Sequence, residues 1–203
     1  MNCRGEQRRI SIVKEYDVRP IAHLRLLNGQ TKRSDAEANL TDTYYIFECT
    51  SKSNKEIVKT ITCGQGAGKH FFKLLNKESL PLFNPLKSVG VHGGDGNEYS
   101  RGESKKQKWN ETAKQLYNAI QWLIVCWDIV PRGTIIEIRD KVLMYCDREP
   151  FRKRIKAINT VISKGRRKRT LTQMINEARE KNDIKDYDFS LLTSKLDGEK
   201  SWF

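Results

Sequence analysis

Hydrophobic positions in the second half of the chain recur with the spacing of an α-helix. Between Ala113 and Trp127, apolar residues follow the i, i+3, i+4, i+7 rule over about four turns. The segment Pro131-Arg132-Gly133 ends this helix. The spacing of Thr134 and Glu137 then predicts a capping box and a second helix that reaches about Cys146.

Two more helices are predicted on either side of a polar, basic stretch. The first begins at Pro150 and places Phe151 on one apolar face with three isoleucines. Thr170 and Gln173 have the spacing of a capping box for the second. A last short helix is predicted over Ser190–Leu196. Helices with short connections between them predict a compact bundle.

The first half of the chain has shorter patterns and predicts a mixture of strands and helix. Arg9–Tyr16 is predicted to be a strand. Thr43–Cys49 and Ile57–Thr62 are rich in aromatic and β-branched residues, and the polar run between them predicts a β-hairpin. Asn28-Gly29 is a turn signal. The glycine-rich turn Gly64–Gly68 then leads into a helical segment.

These patterns predict an α+β protein in three parts. Residues 1–85 form a small mixed α/β domain with the hairpin and the glycine-rich turn. Prolines and glycines interrupt all periodicity after Leu80, so residues 86–109 are predicted to be a flexible loop or linker rich in glycine and lysine. Residues 110–203 form the helical bundle.

Charge is distributed unevenly along the chain. The 203 residues carry a formal net charge of +13, and Pro150–Arg169 contains nine basic residues and no acidic one. A local excess of this kind favours a polyphosphate ligand, because each neutralised phosphate releases counterions. A solvated basic face is the alternative. The residues predicted to bind nucleic acid are Arg152, Lys153, Lys156, Lys164, Arg166, Arg167, Lys168 and Arg169.

The order of elements in this basic region predicts the type of contact. Two helices separated by a basic connection have the outline of a helix-turn-helix, although the connection is longer than the usual turn. The second helix offers few side chains that could read bases, namely Thr172, Gln173 and Asn176. We therefore expect contact with the phosphate backbone, on DNA in preference to RNA, with no catalysis and no cofactor.

A second phosphate-binding pattern lies in the first half. Cys63–His70 places a strand, glycines, a lysine and a helix in the order of a phosphate-binding loop. A cysteine and a histidine replace the expected first glycine and the magnesium-binding hydroxyl residue. Nucleotide hydrolysis is therefore disfavoured. Gly66, Gly68 and Lys69 remain candidates for phosphate contact, and tight packing is the alternative reason for the glycines.

The cysteines do not have the spacing of a metal site. Cys49, Cys63 and His70 lack the paired Cys-x-x-Cys arrangement of structural zinc sites. If the hairpin turns near residues 51–54, Cys49 lies opposite about Glu56, and Cys63 is on the order of 23 Å away along its strand. We therefore predict no metal and interpret the cysteines as small buried hydrophobic residues.

Two further groups of polar residues could support chemistry. His92, Asp95 and Glu98 lie in a glycine-rich stretch and could bind a metal or transfer a proton. Asp128 and Glu137 resemble in outline the acidic pair of a metal-dependent nuclease, but Glu137 has the capping position. Neither group outweighs the structural interpretation.

Aromatic residues suggest a different role. Trp122 falls outside the apolar stripe of its helix, and Trp202 and Phe203 follow a charged turn. They are predicted as possible contacts to a protein partner. The alternative function is therefore an accessory subunit of a complex acting on DNA or RNA, with the chemistry supplied by a partner. A second alternative is a nucleotide- or metal-dependent enzyme built on Gly64–His70.

The cellular context follows from the same sequence. The first residues lack the apolar core of a signal peptide, and no run approaches the roughly 20 apolar residues that span a bilayer. The five cysteines are odd in number and widely spaced. We therefore expect a cytoplasmic protein with reduced thiols and no membrane contact.

Overall fold

The computed structural model describes residues 1–87 and 108–203. The chain separates into two compact units, Met1–Pro85 and Leu86–Phe203. The predicted α+β class is confirmed, with a small antiparallel sheet and helices in the first unit and helices in the second. Most of the predicted linker at 86–109 lies outside the described residues.

The first unit is a three-stranded antiparallel sheet with two helices packed on it. The strands have the order β1-β4-β5, and a separate two-stranded ladder joins β2 and β3. Aromatic side chains of β4 and α2 meet in its core, where the Phe47 and Phe71 rings lie 5.1 Å apart. The elements are α1 (Glu6–Glu15), β1 (Tyr16–Arg25), β2 (Lys32–Arg33), β3 (Asn39–Leu40), β4 (Thr43–Ser51), β5 (Val58–Cys63) and α2 (Gln65–Leu74).

The strand predicted at Arg9–Tyr16 is wrong, because most of this segment belongs to α1. Its apolar residues fit both a strand and one face of a helix, and periodicity alone does not separate the two in so short a run. Packing decides it, since α1 lies against β1 and α2 and buries Ile12 completely. The strand begins only at Tyr16. The turn at Asn28-Gly29 is confirmed, with Gly29 at a φ of 73°.

The predicted hairpin is confirmed as β4 and β5, but its register differs from the expectation. Cys49 pairs with Lys59 and not with Glu56, and Cys63 pairs with Tyr45. Four strand positions therefore separate the two cysteines, about 13 Å instead of 23 Å. Four of the five cysteines are buried and all are free, as expected of small hydrophobic residues.

The second unit is the predicted helical bundle. The long helix α3 is its centre, since α4, α5, α6 and α7 all contact it. Its buried face includes Leu116, Ile120 and Ile124. The elements are α3 (Glu111–Trp127), α4 (Thr134–Met144), α5 (Arg152–Ser163), α6 (Leu171–Arg179) and α7 (Ser190–Thr193).

One of the two predicted capping boxes is present. At α6, the Thr170 hydroxyl accepts from the Gln173 amide and the Gln173 side chain accepts from the Thr170 amide. At α4 the prediction is wrong, because Gly133 occupies the N-cap and Thr134 is already helical. Gly133 has a φ of 58°, so the chain enters this helix through a conformation that favours glycine.

The helices of both units fall short of what a membrane span needs. Within the described residues, no helix combines the length and the hydropathy that crossing a bilayer requires.

Candidate nucleic-acid interface

Helix α5 separates an apolar face from a cationic face. Ile155, Ile158 and Ile162 are fully buried, as their spacing predicts. Phe151 does not join them and is 65% exposed. It occupies the N-cap with ψ at 134°, outside helical geometry, so its side chain leaves the face that its position in the sequence predicts. The placement of Phe151 in the core was therefore wrong.

Two of the predicted phosphate-binding cations on α5 are neutralised within the protein. Arg152 forms an ion pair with Asp197 at 2.8 Å. Lys156 pairs with Glu199 at 2.7 Å and with Asp197 at 3.3 Å. Hydrogen bonds to Glu199 and Asp197 raise the pKa of Lys156. These charges therefore hold the end of the chain against α5.

The cations of the connection between α5 and α6 have a different environment. We call residues 164–168 the basic turn, which presents Lys164, Arg166, Arg167 and Lys168 to solvent. In the part of the chain that the structure describes, none of these four forms an ion pair. The Lys168 ammonium donates to the Ser163 carbonyl at 2.9 Å, which satisfies one acceptor at the end of α5 without neutralising the charge.

The basic turn is held rigidly by its own backbone and by the core beneath it. The Gly165 amide donates to the Ile162 carbonyl, and the Lys168 amide donates to the Gly165 carbonyl, each at 3.0 Å. A Cβ on Gly165 would lie 3.3 Å from the Trp127 ring, so glycine allows close approach to α3. The capping box at Thr170 starts α6 directly afterwards. The exposed cations therefore project from a defined loop.

An open groove of about 450 Å³ lies between the basic turn and α6. An ion pair between Arg169 and Glu177 joins its two walls. The groove is cationic where α6 begins and acidic further along, and this acidic part opposes insertion of α6 into a nucleic-acid groove. The lining residues are Arg167, Lys168, Arg169, Gln173, Asn176, Glu177 and Glu180.

Two of the three side chains predicted to read bases are already engaged in α6. Gln173 is part of the capping box, and the Asn176 side-chain oxygen accepts from Arg179 at 3.1 Å. Thr172 is exposed. The arrangement suits phosphate contact by the basic turn better than base reading by α6.

The glycine-rich segment of the first unit was predicted to be a turn, and this prediction is wrong because the segment is helical. Gly64 is the N-cap of α2, so Gly66, Gly68 and Lys69 lie inside a helix and not in a loop. Gly68 is buried, and a Cβ there would lie 2.2 Å from the Tyr45 ring. This glycine therefore serves packing and cannot reach a phosphate. Gly66 and Lys69 are exposed, and phosphate contact by them stays a prediction.

Trp122 is not available to a partner. Its side chain is fully buried, and its ring meets the Tyr187 ring edge-on at 5.3 Å. The residue lies off the main stripe of α3, but α3 is the central helix and is covered on more than one face. The predicted partner contact at Trp122 is therefore wrong.

The last residues of the chain dock on the bundle. Asn159, which is buried, accepts from the Trp202 amide at 2.7 Å and donates to the Lys200 carbonyl at 2.9 Å. The Trp202 carbonyl accepts from the Leu171 amide at 2.7 Å. Phe203 is buried beside Phe189. The predicted partner contact at Phe203 is therefore wrong, whereas the Trp202 ring is half-buried beside Lys200 and partner contact by it stays a prediction.

The remaining candidate groups do not form a site in the described residues. His92, Asp95 and Glu98 lie outside those residues. Within residues 1–87 and 108–203, no three His, Cys, Asp or Glu side chains are placed to hold a metal. Cys3 and Cys63 lie in the same core cluster of the first unit, although sixty positions separate them in the chain.

Comparison with known proteins places the whole chain in one family. A family model described as "Uncharacterised conserved protein UCP028583" matches residues 1–200. The chain belongs to this family. No curated protein and no solved structure matches it significantly. The match extends over both units, so membership concerns their combination and not one unit alone.

Proposed function

We propose that the protein binds nucleic acid without catalysing a reaction on it, and that the basic turn supplies the main contacts to phosphate. The supporting observation is the contrast along α5. Arg152 and Lys156 are neutralised by Asp197 and Glu199, whereas the four cations of the basic turn have no acidic partner in the described residues. An external polyanion is the ligand that this charge excess favours.

The structure of the basic turn is consistent with contact to a regular backbone. Lys164, Arg166, Arg167 and Lys168 project from a single short connection that is held by backbone hydrogen bonds. Arginine can bind a phosphate through two parallel hydrogen bonds, and lysine binds it as a point charge. Such contacts position a nucleic acid and provide little sequence preference.

The test compares two double substitutions that remove the same charge. Arg166→Ala with Arg167→Ala removes two unpaired cations, and Arg152→Ala with Lys156→Ala removes two paired ones. Binding to a labelled duplex is measured by anisotropy at several salt concentrations. We expect the turn variant to lower the slope of log affinity against log salt by about 0.9 for each phosphate that the protein no longer neutralises.

The paired control should change that slope much less, because Asp197 and Glu199 already neutralise those side chains. Equal slopes for both variants and the unmodified protein would contradict the proposal. Parallel titrations with RNA test the proposed preference for DNA, since the phosphate chemistry is common to both. The proposed cytoplasmic location agrees with five free cysteines, which stay reduced there.

The two alternative functions have less support. The accessory-subunit hypothesis rested on Trp122, Trp202 and Phe203, of which Trp122 and Phe203 are buried within the protein. The enzyme hypothesis rested on a loop at Gly64–His70 that is mostly the first turns of α2.

A further inference from the structure

The connection between α4 and α5, at the other end of α5 from the basic turn, has two exposed aromatic side chains. We call Tyr145 and Phe151 the aromatic pair. In the described residues they are the aromatic side chains with more than a third of their surface exposed, at 42% and 65%. Both belong to the connection between α4 and α5. Each ring offers an apolar face that a ligand could cover.

An arginine guanidinium lies over each ring of the aromatic pair. The Arg154 guanidinium lies 5.0 Å from the centre of the Phe151 ring, and Arg148 lies 5.6 Å from the Tyr145 ring. A cation on the ring leaves the rest of the exposed surface open to a flat ligand. The aromatic pair therefore offers stacking surfaces next to positive charge.

The two acidic residues of the same connection already have basic partners. Glu149 pairs with Lys195 at 2.5 Å, and Asp147 lies 4.0 Å from the Arg148 guanidinium. Lys153 is exposed and has no ion pair among the described residues. The surroundings of the aromatic pair therefore carry a positive excess. This excess favours a ligand that is both flat and anionic over a neutral, purely apolar surface.

Exposed cations lie near both ends of α5, with Lys153 close to Phe151 in the chain and Lys164 in the basic turn. Lys153 and Lys164 are eleven residues apart, which is about three helical turns, so both lie on the same face. The rise along the axis is about 17 Å. A flexible polyanion could therefore contact both ends of α5 at once.

We infer that the ligand is a single-stranded nucleic acid whose bases stack on Phe151 and Tyr145 while its phosphates contact Lys153 near one end of α5 and the basic turn at the other. This inference rests on the proposed function and narrows it. In a duplex the bases are stacked on each other and paired, so an exposed ring cannot reach their faces. A single strand offers unstacked bases and phosphates together, which is the combination that aromatic side chains in a basic channel bind.

The experiment separates stacking from apolar contact at one position. Phe151→Leu keeps an apolar side chain without a ring, and Phe151→Tyr keeps the ring. Because Phe151 is largely exposed, both variants should keep the melting temperature of the unmodified protein. The probes are labelled oligo(dT) and oligo(U) of about twelve nucleotides, in the range of known single-strand sites, and a hairpin duplex with the same number of phosphates.

We expect Phe151→Leu to weaken oligo(dT) or oligo(U) binding by at least about fivefold, with Phe151→Tyr close to the unmodified protein. Duplex binding and the salt slope should stay unchanged in Phe151→Leu, because this variant keeps every cation that could bind phosphate. Comparison of the two oligonucleotides tells DNA from RNA. A result in which Phe151→Leu binds single strands as well as Phe151→Tyr does would overturn the inference, and the exposed surface would then suit a protein partner.

Failure of this inference can be told from failure of the proposed function. If the unmodified protein binds the duplex with a salt slope that depends on the basic turn, but prefers no single strand, only the inference is wrong. If it binds neither probe, the proposed function is wrong as well.

Discussion

Two segments of this protein combine glycine with basic residues, and they differ in how deeply they are packed into the protein. At Gly64–His70 the glycines lie inside or at the start of α2, where Gly68 lets the helix approach Tyr45 closely. At the basic turn, Gly165 packs against Trp127 and the cations on both sides of it remain exposed. In both segments a glycine serves packing, and the basic turn differs in presenting four exposed cations on one short connection, whereas Lys69 is the single lysine of Gly64–His70.

The two units also differ in whether these segments take part in the contacts that stabilise the unit. In the first unit the glycine segment is part of the core, because Tyr45 contacts Gly68 and stacks on His23 with ring centres 3.9 Å apart. In the second unit, Asn159 and the chain end form a separate set of stabilising contacts. Substitution in the basic turn should therefore affect binding with little effect on stability.

The largest expected effect tests the packing role of Gly68. Gly68→Ala should destabilise the first unit by about 2–3 kcal/mol, because its Cβ would overlap the Tyr45 ring. Gly66→Ala is the matched control, since it meets open space in the same helix and should stabilise the unit by up to about 1 kcal/mol. Calorimetry measures both. An unchanged melting temperature in Gly68→Ala would show that the glycine has another purpose.

A smaller effect is expected at the chain end of the second unit. Deleting Trp202 and Phe203 should lower the melting temperature by about 5 °C or more, because it removes hydrogen bonds to Asn159 and Leu171 and a buried ring. Phe151→Ala provides the control, since it removes a ring that is exposed, and should shift the melting temperature much less. Similar shifts in melting temperature for the two variants would contradict the conclusion that the chain end is docked and Phe151 is not.

The partial burial of His23 predicts a pH dependence in the first unit. Burial lowers the pKa of His23 below its ordinary value of 6.5, since the charged form loses solvation. The unfolded chain therefore binds the proton more readily, and stability that is present above pH 6.5 is lost as the pH falls towards the lower folded value. His23→Gln should show a smaller drop in melting temperature between about pH 7.5 and 5.5. An identical drop would place the pH sensitivity elsewhere.

The smallest effect is expected at Lys69, the one cation of the glycine segment. Its side chain is exposed, so Lys69→Ala should change stability by no more than about 0.5 kcal/mol. We also expect nucleic-acid binding to stay within about twofold of the unmodified protein, in contrast to the basic-turn variant. A weakening of about fivefold or more in the same anisotropy titration would show that α2 also binds phosphate.

Local patterns in the sequence determined much of the fold. The apolar repeat of α3, the capping box at Thr170 and the paired β-rich segments of β4 and β5 were each predicted from residues close together in the chain. The concentration of cations around α5 was equally visible. These features depend on helix and strand periods and on local hydrogen bonds, so neighbouring residues suffice to indicate them.

Tertiary structure decided which of these residues can meet a ligand. It neutralised Arg152 and Lys156 with acidic residues more than forty positions away, and it buried Trp122 and Phe203. It also turned Phe151 outward through one non-helical residue at the start of α5. Ion pairing and burial depend on partners distant in the chain, and the local pattern contains no information about them. The sequence by itself therefore determined most of the elements and the total charge, whereas packing determined that Arg9–Glu15 is helical and which charges and rings remain exposed.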